Sequence, residues 1–467
     1  MPKPMKDFRT EPSIIPPLEP DFRPATLYNQ TFRYELDSSR AGIPLSIGLE
    51  RPDGTISRYD TKIFSEDHPL AVSNLYYSER IIKFLLWQRG GCNVYIGGSK
   101  RVADYIQKIY HPEGERKFDF QFMGEKVYLE EFSVIPCNLD EVPPENESEL
   151  EIGRHLEGNR IGFDLGASDL KVSAVIDGNA VFSKEIEWNP REQTNPDYHR
   201  EYIKQALLLA KEKLTHLDAI GGSSAGVYIN NRPMIASLFR GISEGRFEEI
   251  RNLFLEIQEE FGVPLEIVND GEVTALAGSM SLGLNGILGI AMGSSEAAGY
   301  VTPQGNITNW LNELAFVPID YNPNAPVEEW SGDIGCGASY LSQQCVFRLS
   351  DRAGITIPSE ISNAQKLEFV QEKLENGHQG ARKIWESMAI FAGYAIAHYS
   401  EFYELNDVLI LGRCTSGIGG QIILNGANKL IEVELPELSR KLSLHLPDEF
   451  SRRVGQSIAA ASLPDIK

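Results

Sequence analysis

The chain has 467 residues, about three times the length of a typical domain, and 42% of them are hydrophobic while 24% are charged. With 41 glycines and 26 prolines, both near average frequency, this composition excludes collagen-like, low-complexity and disordered classes and predicts two or three packed units. The net charge of −22 repels phosphate backbones, so nucleic acid is not an expected partner. No apolar run approaches the roughly 18 residues of a membrane span, and MPKPMKDFRTEPS lacks the apolar core of a secretory signal. The expected location is therefore the cytoplasm, with no membrane partner.

Taken in chain order, Pro2, Pro4, Pro12, Pro16, Pro17, Pro20 and Pro24 predict an extended arm over the surface, because proline disrupts regular helix. Two apolar-alternating runs then flank Asp53-Gly54, a dipeptide that predicts a two-residue hairpin turn with both residues at positive φ. A helix over 78–89, a strand in CNVYIGGS and a helix over 102–110 complete a small α/β unit, closed by the Pro- and Glu-rich stretch 140–151.

From Asn159 a stronger pattern begins, with three strands turning at Gly166 and at Asp177-Gly178. Helices over 198–213, 247–261 and 383–405 alternate with the strands AIGGSSAGVYI, PLEIVND, the pair around Gly293-Ser294, and DVLILG. Alternation of this kind predicts layered α/β sheets.

Three turns join strand ends to small or hydroxyl residues, which lets backbone N–H groups approach phosphate oxygens. The first holds Asp164, Gly166 and Ser168, the second Gly293, Ser294 and Ser295, and the third Gly412, Gly417 and Gly419. In the first, Asp164 is placed to hold hydrated Mg²⁺ while Ser168 faces phosphate. Val268-Asn269-Asp270 puts a carboxylate at a strand-to-helix junction, the position of either a helix N-cap or a base that deprotonates an alcohol. The two roles are not exclusive. Cys92, Cys137, Cys336, Cys345 and Cys414 are widely spaced and suit reduced thiols, and no Cys/His cluster at ligand spacing predicts a metal cage.

The succession DLGAS (164–168), SSAGVYI (223–229), VNDGEVTALAG (268–278), MGSSEAAGYVTPQGNI (292–307), NEL (312–314), IGCGASYLS (334–342) and LILG (409–412) resembles the ROK sugar kinases. The resemblance implies an α/β, actin/hexokinase-like (ribonuclease H-like), two-lobed ATPase fold, here with an N-terminal α/β accessory region. On that reading residues 1–155 are the Pro-rich arm and accessory region. Residues 156–268 form the first lobe, with a C-terminal helix over 452–467, and residues 269–451 form the second lobe. It implies ATP and Mg²⁺ in the interlobe cleft, a sugar-like small-molecule acceptor and a homodimer. It makes Asp270 the catalytic base, Asn269 and Glu313 acceptor-binding residues, and Gly412, Gly417 and Gly419 the adenine loop. Asp164, Gly166, Ser168, Gly293, Ser294 and Ser295 become the phosphate-binding positions.

Several positions depart from the family pattern. Glu296 and Asp169 are expected to add negative charge beside the phosphates; Phe316 stands where the family has a histidine. Only Cys336 remains of a zinc motif, so no structural zinc is expected, and Leu238 aligns with a sugar-binding asparagine. Two readings follow: an ATP-dependent carbohydrate kinase, or a catalytically silent ligand-binding or regulatory protein on the same scaffold.

Overall fold

A computed structural model describes residues 8, 11–147, 149–150, 152–447 and 455–466. Pro2 and Pro4 of the expected arm, Ser148 and Glu151 of the expected linker, and residues 452–454 and 467 of the expected terminal helix lie outside the described residues. The chain divides into two units. Unit 1 comprises Met1–Ser148, Ile290–Ala297 and Trp310–Leu446; unit 2 comprises Glu149–Gly289, Ala298–Asn309 and Pro447–Lys467. The boundaries thus differ from the three-part division expected, because residues up to 148 pack into one body with residues 310–446. Among the described residues, no helix is long and apolar enough to cross a membrane.

In unit 1, a four-stranded sheet runs in the order Ile56–Phe64, Gly42–Glu50, Asn93–Gly97, Ser133–Cys137. The first two strands form the expected hairpin, but Glu50 pairs with Ile56, so the loop has five residues rather than two. Only Gly54 takes positive φ; Asp53 instead accepts hydrogen bonds from the backbone and hydroxyl of Thr55. The helix expected over 78–89 begins earlier and spans Ser73–Arg89.

The arm is not a surface strap. Phe22 is fully buried among Tyr340, Phe391 and Tyr394, and Pro24 precedes a regular helix, Ala25–Ser39. Burial of one aromatic ring stabilises by about 1.5–3 kcal/mol, enough to draw an irregular segment inward.

What ties the N-terminal residues to the rest of unit 1 is a buried ionic cluster. Arg80 contacts Glu79 at 2.5 Å and Asp333 at 3.0 Å. Lys83 contacts Asp119 at 2.9 Å and Asp333 at 3.3 Å. Arg116 contacts Glu79 at 2.7 Å and Asp333 at 2.9 Å. Three cations thus meet three carboxylates, none more than 2% exposed. Burial alone would raise the Asp333 carboxyl, yet Arg80 and Lys83 hold it below its ordinary value.

In unit 2, a five-stranded sheet runs Leu265–Asn269, Ala219–Ser224, Asn159–Leu165, Asp169–Ile176, Asn179–Glu187. The last three form the predicted meander, with Asp177 and Gly178 both at positive φ as a tight hairpin requires. The helix expected over 247–261 is broken at Asn252 into Phe247–Arg251 and Leu253–Phe261. The helix Gly455–Ala461 packs on the sheet. It approaches closely because Gly162 and Gly221 lack Cβ atoms, which would collide with the Ser457 and Ala460 carbonyls.

Removing one member of the buried cluster leaves charges without their partners. Lys83→Met should therefore lower unfolding free energy by about 3–5 kcal/mol, read from the denaturation midpoint. A loss below about 1 kcal/mol would show that the cluster does not hold unit 1 together.

Candidate functional site

Three neighbouring strands of unit 2 run parallel, and their register aligns Asp164 with Ser223 and Ser224 with Asn269. Asp164, Ser223, Ser224, Asn269 and Asp270 therefore collect at the carboxyl ends of these strands, where α/β sheets place ligands. Ser223 is fully buried and donates to Asp164 at 2.7 Å. Ser224, equally buried, accepts at 2.6 Å from the Tyr228 hydroxyl.

The expected helix cap exists, but Asn269 makes it. Its Oδ1 accepts from the Gly271 N–H at 2.7 Å while its Nδ2 donates to the Gly226 carbonyl at 2.7 Å. Each end of the Asn269 amide keeps one further hydrogen-bonding position. Asp270 is the first residue of the helix Asp270–Leu282. Burial pushes its carboxyl up to about 6, and the Asp164 charge adds to the shift. Asp164 is itself raised by burial, against the lowering effect of the Ser223 hydrogen bond.

In the first turn, Gly166 N–H bonds the Asp169 carbonyl, and the Trp188 indole donates to the Gly166 carbonyl at 2.9 Å. Ser168 is exposed, with its hydroxyl donating to Asp169 at 3.1 Å. Lys171 stands 3.4 Å from Asp169 and offsets part of its charge.

Unit 1 brings the other two turns together. A Cβ on Gly412, which has φ +100, would lie 2.6 Å from the Met292 carbonyl, so the third turn rests on the residue that starts the second. Ser294 and Ser295 are exposed, and Gly293 has room beside it. Gly417, at φ +60, is exposed next to the Glu375 carboxylate, which accepts the Ile418 N–H at 2.9 Å. Gly419 is buried, and its missing side chain makes room for the indole of Trp385.

Glu296 does not add charge to the phosphate turn. It is 3% exposed, points inward and meets the Tyr399 hydroxyl at 2.9 Å, and burial pushes its carboxyl up to about 8. Phe316 stacks on Trp87 at 4.2 Å, and Leu238 lies in the apolar core of unit 2. Neither is a polar position that has simply lost its partner. Glu313 is half-buried, and its N–H donates to the Trp87 carbonyl at 3.0 Å. Trp385 is fully buried, and the Trp310 indole donates to Glu147 at 3.1 Å.

Several solved structures share this fold. A ROK family glucokinase from Streptomyces griseus, in complex with glucose and AMPPNP, matches at 16% identity and a TM-score of 0.50, over 65% of this chain and 98% of that one. A ROK hexokinase from Thermus thermophilus matches at 14% identity and a TM-score of 0.51, over 65% and 97%. The chain has a ROK-like, actin/hexokinase-like fold. A ROK family transcriptional regulator, a homologue of the E. coli MLC protein, shares this fold at 18% identity and a TM-score of 0.51, over 66% and 78%. No family model matches the sequence, and no curated protein matches it.

Ser223, Ser224 and Tyr228 were not singled out as site residues in the sequence, although SSAGVY carries all three: the serines end the strand Ala219–Ser224 and Tyr228 lies on the short strand Val227–Ile229. A second grouping arises only through folding: His155, Glu157 and Asp465 each bring one ligand-type atom within 4.8 Å of the others. The fully buried Arg160 guanidinium, 3.9 Å from Glu157, already supplies a cation to that corner of the ROK-like scaffold.

Because the Glu296 carboxyl is raised in the folded protein, its stabilising contribution is complete below the ordinary carboxyl range and is lost as pH rises toward 8. Wild-type stability should therefore fall relative to Glu296→Gln between about pH 5 and 9, by an amount on the order of several kcal/mol. Parallel midpoint-versus-pH curves for the two proteins would show that Glu296 is not held protonated.

Proposed function

We propose that the protein is an ATP-dependent phosphotransferase acting on a hydroxyl group of a sugar or sugar derivative. The observation that carries this reading is that Asp270 and Asp164 stand at the carboxyl ends of the same three parallel strands, with the Asp270 carboxyl raised to about 6. A base of that strength is ionised at neutral pH yet close enough in proton affinity to take a proton from an alcohol as it attacks. Asp270 accepts the acceptor's proton, and Asn269 and Glu313 orient the acceptor. Backbone N–H groups around Gly166 and Gly293, with the hydroxyls of Ser168, Ser294 and Ser295, bind phosphate oxygens.

The loop carrying Gly412, Gly417 and Gly419 takes the adenine. The Asp164 carboxylate and the Ser223 hydroxyl beside it are hard oxygen donors, which fits a hydrated Mg²⁺. When bound, that ion neutralises charge developing on the phosphates. The five cysteines are free thiols, in keeping with a cytoplasmic enzyme.

The glucose and AMPPNP held by the Streptomyces griseus glucokinase support the choice of substrate class. A second reading, a silent ligand-binding or regulatory protein, draws on the Glu375 carboxylate at the start of the helix Ile418–Glu434, which leaves that helix end less receptive to an anion. Fold likeness to a ROK transcriptional regulator is compatible with it.

A transfer screen with Mg-ATP over hexoses, aminosugars and polyols tests the two readings. Asp270→Asn should reduce turnover by at least about 10²–10⁴-fold without loss of thermal stability, and wild-type kcat/KM should rise with pH through about 6. Equal turnover by the variant would refute the base assignment.

Gly293→Ala tests the nucleotide turn. The added Cβ would meet only the Ser295 carbonyl, at 3.7 Å, so the fold tolerates it while the approach of phosphate to backbone is obstructed. Mg-ATP should stabilise the wild type thermally and the variant less. No stabilisation of the wild type would favour the silent reading.

A further inference from the structure

The turn carrying Glu313 is built on the end of an N-terminal helix. Helix Ser73–Arg89 leaves its last carbonyls without helical partners, and two of them are taken by residues more than two hundred positions away. The Asn312 N–H donates to the Gln88 carbonyl at 2.8 Å, and the Glu313 N–H to the Trp87 carbonyl at 3.0 Å. To reach both carbonyls the chain passes through Asn312 at φ +50, a left-handed conformation that asparagine tolerates better than most residues. The Asn312 side chain is 2% exposed, and its Oδ1 accepts from the Tyr403 hydroxyl at 2.7 Å. Gln88 closes the arrangement by donating through Nε2 to the Phe402 carbonyl, next to Tyr403, at 2.9 Å.

This support has little freedom to shift. Trp87 stacks on Phe316 and donates its indole N–H to Asp119 at 2.6 Å, a member of the buried ionic cluster. One turn earlier Lys83 joins Asp119 to Asp333, so the helix end is fixed both to its own region and to the segment following Glu313.

We propose that Tyr403 is a positioning residue for Glu313, acting through Asn312 and the carbonyl end of helix Ser73–Arg89, and that it sets affinity for the acceptor. Residues that precede the ROK-like part of the sequence thereby form part of the acceptor site's framework. The inference rests on the phosphotransferase reading, in which Glu313 holds an acceptor hydroxyl. Loss of the Tyr403 hydroxyl leaves a buried Asn312 oxygen without this donor and loosens a turn that is already in an uncommon conformation.

The test uses the full-length protein with glucose, mannose and glucosamine as acceptors, measuring KM for acceptor and for Mg-ATP separately. Tyr403→Phe should raise the acceptor KM about three- to tenfold and leave the Mg-ATP KM unchanged. Asn312→Gly preserves the left-handed backbone while removing Oδ1, and should give a similar rise. The double variant should be no worse than either single one, because both remove the same hydrogen bond.

Unchanged acceptor KM values, a matching rise in the Mg-ATP KM, or additive effects in the double variant would overturn the positioning role while leaving the phosphotransferase reading intact. Absence of transfer to all three sugars by the wild type would overturn both.

Discussion

Two carboxylates that repel one another are held at the same sheet edge because parallel pairing leaves their strands no other register. Asp164 aligns with Ser223, and the strand ending at Asn269 aligns with the same serine pair, so Asp270 emerges at the same end of the sheet as Asp164, with the strand Ala219–Ser224 between them. The repulsion and the burial together raise the Asp270 carboxyl toward neutrality, while Ser223 partly offsets the cost at Asp164. A sheet therefore does what a flexible loop could not: it keeps an unfavourable pair together at fixed spacing. Such an arrangement is characteristic of sites where proton affinity is put to use.

Unit 1 reaches a fixed geometry by a different route. Its helix Ser73–Arg89 carries Glu79, Arg80 and Lys83 into the interior, where Arg116, Asp119 and Asp333 balance them. A buried cluster of this kind adds little net stability over an apolar core, but it penalises any rearrangement that would separate a single charge from its partners. The Trp87–Phe316 stack and the hydrogen bonds to Asn312 and Glu313 extend the same fixed frame to the turn that carries Glu313.

Much of the secondary structure was legible in the sequence because its signals are local. Asp177-Gly178 specifies a tight hairpin, and the alternation around it specifies the flanking strands. The carboxylates at strand ends were also legible, since a strand-to-helix Asp after an apolar run has few alternatives. Long-range partners were not. Glu296 read as an unfavourable charge in a phosphate turn, and only Tyr399, a hundred residues later, shows that it turns inward. The arm read as exposed because nothing near Phe22 announces the aromatic pocket formed by Tyr340, Phe391 and Tyr394. The counterions of the charged positions in helix Ser73–Arg89 come from residues 116, 119 and 333, which no local pattern connects to it.

The phosphotransferase reading depends on a carboxyl at Asp270 that burial and the Asp164 charge raise, and carbon-13 NMR titration of the aspartate side chains measures that directly. Asp270 should titrate with a midpoint near 6, and the midpoint should fall in Asp164→Asn as the neighbouring charge is removed. A midpoint in the ordinary aspartate range in the wild type, unmoved by Asp164→Asn, would contradict it.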